Sequence, residues 1–153
     1  MIACALLAGC ATPLFKGSAP TTLTPADAAG THGSTPAEVI WGGRIIGMRN
    51  LASTSELDVL SLPLDRAQRP RTRAQSTGRF MVVLDGFVEP LDFPPGRYVT
   101  VRAHFSGSRD ITVDGHPLAV AVVDRAEIHT WPPEFPNDRG HFTFGVGVGV
   151  GIH

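Results

Sequence analysis

His32, His104, His116, His129, His141 and His153 are the side chains of this sequence best suited to hold a metal, because neutral imidazole is the commonest nitrogen ligand of zinc and copper. None of them is paired at the short spacing by which one helix or one hairpin presents two ligands. His104 and His129, facing each other from neighbouring strands with Trp131 alongside, form the single candidate ligand or metal site; surface histidines are the plainer alternative. A hydrolase would need a serine with a histidine and a carboxylate, or two carboxylates in a cleft. Ser106, His104 and Asp110 lie close in sequence. Neighbouring strand positions point to opposite faces, however, and Gly107-Ser108 is not the sharp elbow that exposes a nucleophile. Asp85 and Glu89 bracket Gly86-Phe87-Val88, where a turn accounts for both. No glycine-rich phosphate loop precedes a helix. The sequence therefore assigns no catalytic residue, no bound metal and no cofactor, and it reads as a non-enzyme.

The elements that must position these residues are strands. Val39 to Arg49 is β-branched and aromatic with Gly42-Gly43 inside it, which predicts a long strand bent or closely approached at the glycine pair. Ser55 to Leu64 alternates polar and apolar and predicts a second strand. Gly78 to Gly86 predicts a third, with Asp65 to Thr77 as a long hairpin loop whose Arg66, Arg69, Arg71 and Arg73 read as solvated. Three prolines between Glu89 and Gly96 rule out a long helix and predict a structured crossover. Arg97 to Phe105 is a half-buried strand by its alternation. A fifth, kinked strand runs through Leu118 to Val123 and Ala126 to Trp131 after a turn at Asp114-Gly115-His116-Pro117. Five strands, a coiled first strand and a crossover after the third predict an all-β fold, a small five-stranded OB-like β-barrel, with a β-sandwich as the alternative. Trp41 and Trp131 fit the packing of a barrel end better than the lining of a groove.

Cys10 is the residue with the most definite chemistry. Leu7-Ala8-Gly9-Cys10 closes an apolar run and reads as a bacterial lipobox, in which a small residue precedes the cleaved bond and the cysteine sulfur receives a diacylglyceryl group. Residues 1–9 are then a signal peptide. Its missing basic n-region and short apolar stretch lead to the expectation that translation starts upstream of Met1. With Cys4 removed and Cys10 acylated, no disulfide is available. Formal net charge is −1, from 13 basic and 14 acidic residues, which gives no reason to expect nucleic acid as a partner. Residues 10–36, rich in Thr, Ala, Gly, Ser and Pro, read as a flexible tether able to hold the domain well clear of a bilayer, with an ordered arm packed on the domain through Leu14-Phe15 as the alternative. Residues 37–132 are the barrel. Residues 133–153 form a tail in which Phe142, Phe144, Val146, Val148, Val150 and Ile152 alternate with Thr143 and glycines, the pattern of an extra strand with one bare face or of a disordered end.

Trp41-Gly42-Gly43-Arg44-Ile45, Pro63-Leu64-Asp65, Gly78-Arg79-Phe80, Gly86-Phe87-Val88-Glu89-Pro90, Gly96-Arg97-Tyr98-Val99-Thr100-Val101 and Trp131-Pro132 occur in an order that resembles the Slp family of outer-membrane lipoproteins. The resemblance implies an envelope lipoprotein associated with starvation or stationary phase, with no catalytic residue to carry over. Arg102-Ala103 departs from the glycine expected after Val101. Ala11, where an aspartate would signal inner-membrane retention, implies the outer membrane, at its periplasmic face. The expected partners are outer-membrane lipid, through acylated Cys10, and other envelope proteins. A small-molecule or metal-binding periplasmic module that uses His104, His129 and Trp131 is the alternative.

Overall fold

The computed structural model describes residues 12–18, 21–31 and 38–135. Its strands are β1 (Glu38–Asn50), β2 (Thr54–Leu62), β3 (Arg79–Asp85), β4 (Tyr98–Val113) and β5 (His116–Thr130). They close into a barrel in the order β1-β2-β3-β5-β4, with every neighbouring pair antiparallel except β3 and β5. This is the expected five-stranded barrel, and its strand order and single parallel pair give it the OB-like arrangement.

Alternation along each strand sends one set of side chains inward. Val39, Trp41, Ile45, Leu57, Val59, Phe80, Val82, Val99, Val101, Ala103, Ala121 and Val123 are buried together. The Trp41 ring lies 5.5 Å from that of Phe80 and edge-on to Phe105 at 6.4 Å. The glycine pair of β1 serves close approach rather than a bulge. A Cβ on Gly43 would stand 2.0 Å from the Leu60 carbonyl oxygen, and one on Gly42 would meet Leu64 and the Val99 carbonyl. The irregularity of β1 falls later, between Ile45 and Gly47.

β4 and β5 run further than the sequence suggests. The polar stretch after Phe105 continues as an extended arm, and the turn itself is only Asp114-Gly115. Both residues have positive φ, 49° and 80°, the backbone that a two-residue hairpin needs to match strand twist. His116 and Pro117 already belong to β5. The expected kink in β5 coincides with Arg125, at φ 48°. The crossover after β3 holds a short 3-10 turn, Pro90–Asp92.

The expectation of a flexible tether is corrected for residues 21–31. Thr24-Pro25-Ala26-Asp27 starts a short helix, α1 (Pro25–Gly30): the Thr24 Oγ1 accepts from the Asp27 N–H at 3.1 Å, and Pro25 occupies the first turn, where its missing N–H costs nothing. Ala28 and Ala29 join the core at one end of the barrel. The Trp41 indole N–H donates to the Leu23 carbonyl at 2.8 Å, and the Ile40 N–H donates to Thr21 Oγ1 at 2.7 Å. A tether was expected because the segment has few large apolar residues. Two adjacent small alanines, Ala28 and Ala29, are nonetheless enough to bury one side of α1 in the core.

Candidate functional site

The loop after β2 and residues 12–18 lie on the outer face of β1 and β4. The loop after β2 folds back over this face, with Leu64 and Pro70 packed above Gly42. At its apex Gln68 adopts φ 63° and is fully buried. Asp65 shapes the apex by accepting from the Ala67 and Arg69 N–H groups, both at 2.9 Å. Thr100 Oγ1 donates to the Gln68 carbonyl at 2.8 Å and accepts from the Trp131 indole N–H at 3.0 Å. The Gln68 side chain then takes hold of residues 12–18. Its Oε1 accepts from the Phe15 N–H at 2.6 Å, and its Nε2 donates to the Ser18 carbonyl at 2.8 Å and to the Phe15 carbonyl at 3.3 Å. Every polar atom of the amide is used, the condition under which a buried amide stabilises a contact. Phe15 itself is buried, with the Arg102 guanidinium 5.1 Å from its ring centroid. Residues 12–18 are thus docked on the barrel, a second correction to the tether.

Trp131, one of the three candidate ligand residues, belongs to an aromatic stack on this side of the barrel. Phe135 stacks on it at 4.9 Å, Arg69 lies 5.6 Å above its ring, and His129 meets it edge-on at 4.5 Å. Burial holds the pKa of His129 below its ordinary value of 6.5. His104 does not face His129. His129 opposes Thr100, whereas His104 opposes Asp124 on one side and Glu38 on the other, a separation of four register steps, about 13 Å along the strand. His104 Nδ1 instead lies 3.4 Å from Asp124 Oδ1, without hydrogen-bond geometry. Among the described residues no three His, Cys, Asp or Glu side chains gather as a metal cluster. A groove of about 290 Å³ between Pro94, Pro95, Gly96, Arg97, Tyr98, Pro132 and Pro133 adjoins the aromatic stack.

A charged cluster that the sequence reading did not single out occupies the outer face of β2 and β3. Glu56 is nearly buried, and its carboxylate accepts from Arg49 Nε and Arg109 Nη1, both at 2.6 Å. Burial alone would raise its pKa, but the hydrogen bonds and charges of the two arginines outweigh that and hold it below 4.5. Arg109 comes from the β4–β5 arm and fastens the arm to β2. Nearby, burial raises the pKa of Asp58 against the opposing pull of Arg79, 3.5 Å away. At the far end of the barrel, Asn50 and Ser55 pin the crossover through the Val88 and Gly86 backbones, leaving Leu51, Phe87 and Leu91 exposed there.

Leu7, Ala8, Gly9 and Cys10 lie outside the described residues, as does the tail after Phe135. None of Phe15, Gln68, Thr100 and Glu56 was singled out as functional in the sequence, because their partners lie far away along the chain. Leu14-Phe15, an apolar pair in an otherwise small-residue stretch, is the signal behind the alternative of an ordered arm, and Phe15 is the residue found buried.

Comparison with known proteins agrees with the order of motifs. The family model of the outer membrane lipoprotein Slp family matches residues 7–146. An uncharacterized lipoprotein of Escherichia coli K12, YeaY, is 29% identical over 133 residues, covering 82% of this chain and 67% of its own length. An uncharacterized protein of Haemophilus influenzae is 33% identical over 91 residues, 59% of this chain and 49% of its own. The outer membrane protein Slp of E. coli K12 is 25% identical over 91 residues, 60% of this chain and 48% of its own. The match thus spans about half the length of the last two. No solved structure matches the chain. A family match over most of the sequence establishes that the chain belongs to the outer membrane lipoprotein Slp family.

Proposed function

We propose that this envelope lipoprotein is held at the periplasmic face of the outer membrane by acylated Cys10, and that it serves there in a structural or binding role without catalysis. The observation that carries this reading is where the family match begins. It starts at Leu7, the first residue of the lipobox, so the anchor motif lies within the region shared with the family. Two or three acyl chains on one cysteine give effectively permanent anchoring, since each buried methylene contributes about 0.8 kcal/mol. Replacing Cys10 by Ser should abolish lipid labelling and move the protein from the outer-membrane fraction to the soluble periplasm. A Cys10→Ser protein that still sediments with outer membranes and carries as much lipid label would overturn the reading.

A binding role for small molecules has one specific support, the groove of about 290 Å³ lined by Arg97, Tyr98, Pro94, Pro95, Pro132 and Pro133, which neither His129 nor Trp131 lines. That volume sits at the lower edge of the range usual for ligand sites. Under the structural reading, zinc or copper titrated into the full protein shows no stoichiometric binding. Tight binding lost in His104→Ala or His129→Ala would favour the ligand-binding module instead.

A further inference from the structure

We infer that the flank of the barrel around Phe15, Lys16 and the Gln68 loop lies against the anionic phospholipid headgroups of the leaflet that holds the anchor. The inference rests on the acylation of Cys10 proposed above. Only five residue steps separate Cys10 from Phe15, and even a fully extended chain advances at most about 3.4 Å per residue. The acylated sulfur is therefore within roughly 20 Å of the Phe15 backbone, which is fastened to the barrel through Gln68, whatever conformation the intervening residues take. A domain fastened so near its anchor cannot stand clear of the membrane, and the flank that carries the fastening is the one brought closest to it.

The charge of that flank suits the surface it would meet. Lys16 is exposed beside Phe15, and Arg66 and Arg71 are exposed on the loop that carries Gln68. The acidic groups beside them are largely engaged: Asp65 with two backbone N–H groups, Glu127 with Arg102, and Glu38 with Ser18 Oγ at 3.4 Å. The other end of the barrel presents the exposed acids Asp85, Glu89 and Asp92 around Phe87 and Leu91. An anionic surface attracts the first region and repels the second, and this bias acts within a Debye length, about 8 Å at physiological salt. Each basic side chain near such a surface strengthens the association by roughly fivefold.

The test uses the full acylated protein reconstituted in vesicles of phosphatidylethanolamine with phosphatidylglycerol. With Cys10 acylated, an introduced cysteine is the only reactive thiol. A fluorophore at Arg66→Cys or Arg71→Cys should be quenched by a headgroup-attached quencher at least about threefold more than one at Phe87→Cys or Leu91→Cys. Reversing charge with Lys16→Glu, or undocking residues 12–18 with Gln68→Met, should narrow that difference. Equal quenching at the two ends, or stronger quenching at Phe87, on protein whose mass shows the acyl chains would overturn the orientation alone. Protein that lacks the acyl mass and stays off the vesicles would overturn the anchor, and the orientation with it.

Discussion

Replacing Gln68 with Met keeps the volume of the side chain and removes its three hydrogen bonds to Phe15 and Ser18. Each such bond contributes about 1 kcal/mol net, and the backbone groups left behind would stay buried and unpaired if the segment remained in place. A total of about 3 kcal/mol is comparable with what burying Phe15 contributes, about 1.5–3 kcal/mol, so docking of residues 12–18 becomes marginal. The barrel should tolerate the change, because the bond from Thr100 goes to the Gln68 backbone. Lys16 is the only lysine in the chain, so a protease specific for lysine reports on this segment alone. When opening and closing are fast relative to cleavage, the rate follows the undocked population. A loss of about 3 kcal/mol corresponds to roughly a hundredfold faster cut after Lys16, with the thermal midpoint of the barrel little changed. Cleavage within about threefold of the parent protein, on a barrel that melts normally, would refute the assignment of Gln68 as the clamp.

Three further outcomes follow from the geometry. Gly43→Ala should destabilise the barrel by about 3 kcal/mol or more, because the new methyl meets the Leu60 backbone rather than a movable side chain; Gly47→Ala, with open space around it, should shift the urea midpoint little. His129 favours its neutral form in the fold, so its contribution is present above the unfolded pKa near 6.5 and is lost as pH falls below it. Thermal midpoints taken between pH 8 and 5 should drop more steeply in the parent than in His129→Phe. Glu56 has the opposite chemistry and a lower window: its folded pKa is depressed, so its stabilisation is present above about pH 4.5 and is lost as pH falls through the folded value. Glu56→Gln should cost about 1–2 kcal/mol at pH 7, discounted because both arginines are half in water, and should flatten the acid limb of an unfolding profile.

The barrel was legible because its information is local. Alternation in Arg97 to Phe105, the Asp114-Gly115 turn and the prolines after Glu89 each act over a few residues, and each is found where its chemistry places it. Helix α1 had a local signal too, Thr24 three residues before Asp27 with Pro25 between, but one turn of helix leaves almost no periodicity to read. The clamp was not legible in this way. Gln68 and Phe15 stand 53 residues apart, and the positive φ that aims Gln68 inward is set by Asp65 and Thr100 together. The charged cluster was hidden for the same reason, since Arg109 reaches Glu56 only because the β4–β5 arm lies over β2. Of the proposed ligand residues, His129 and Trp131 do meet, two residues apart on one strand end. His104 does not oppose His129, because the antiparallel register set by Val99 opposite Thr130 puts Thr100 across from His129, and a single strand's alternation does not announce its register with a neighbour.

The parallel pairing of β3 with β5 is the shortest ladder in the barrel, running only from Phe80 opposite Ala121 to Val82 opposite Val123. It joins segments about 40 residues apart, and long-range parallel pairing is slow because loop entropy must be lost before contacts compensate. The hairpins β1–β2 and β4–β5 can form as soon as their own residues are available, but the circle closes only once β3 and β5 are both in place. Until then β3 and β5 each present a bare edge, the form in which a secreted chain is most open to pairing with a neighbour.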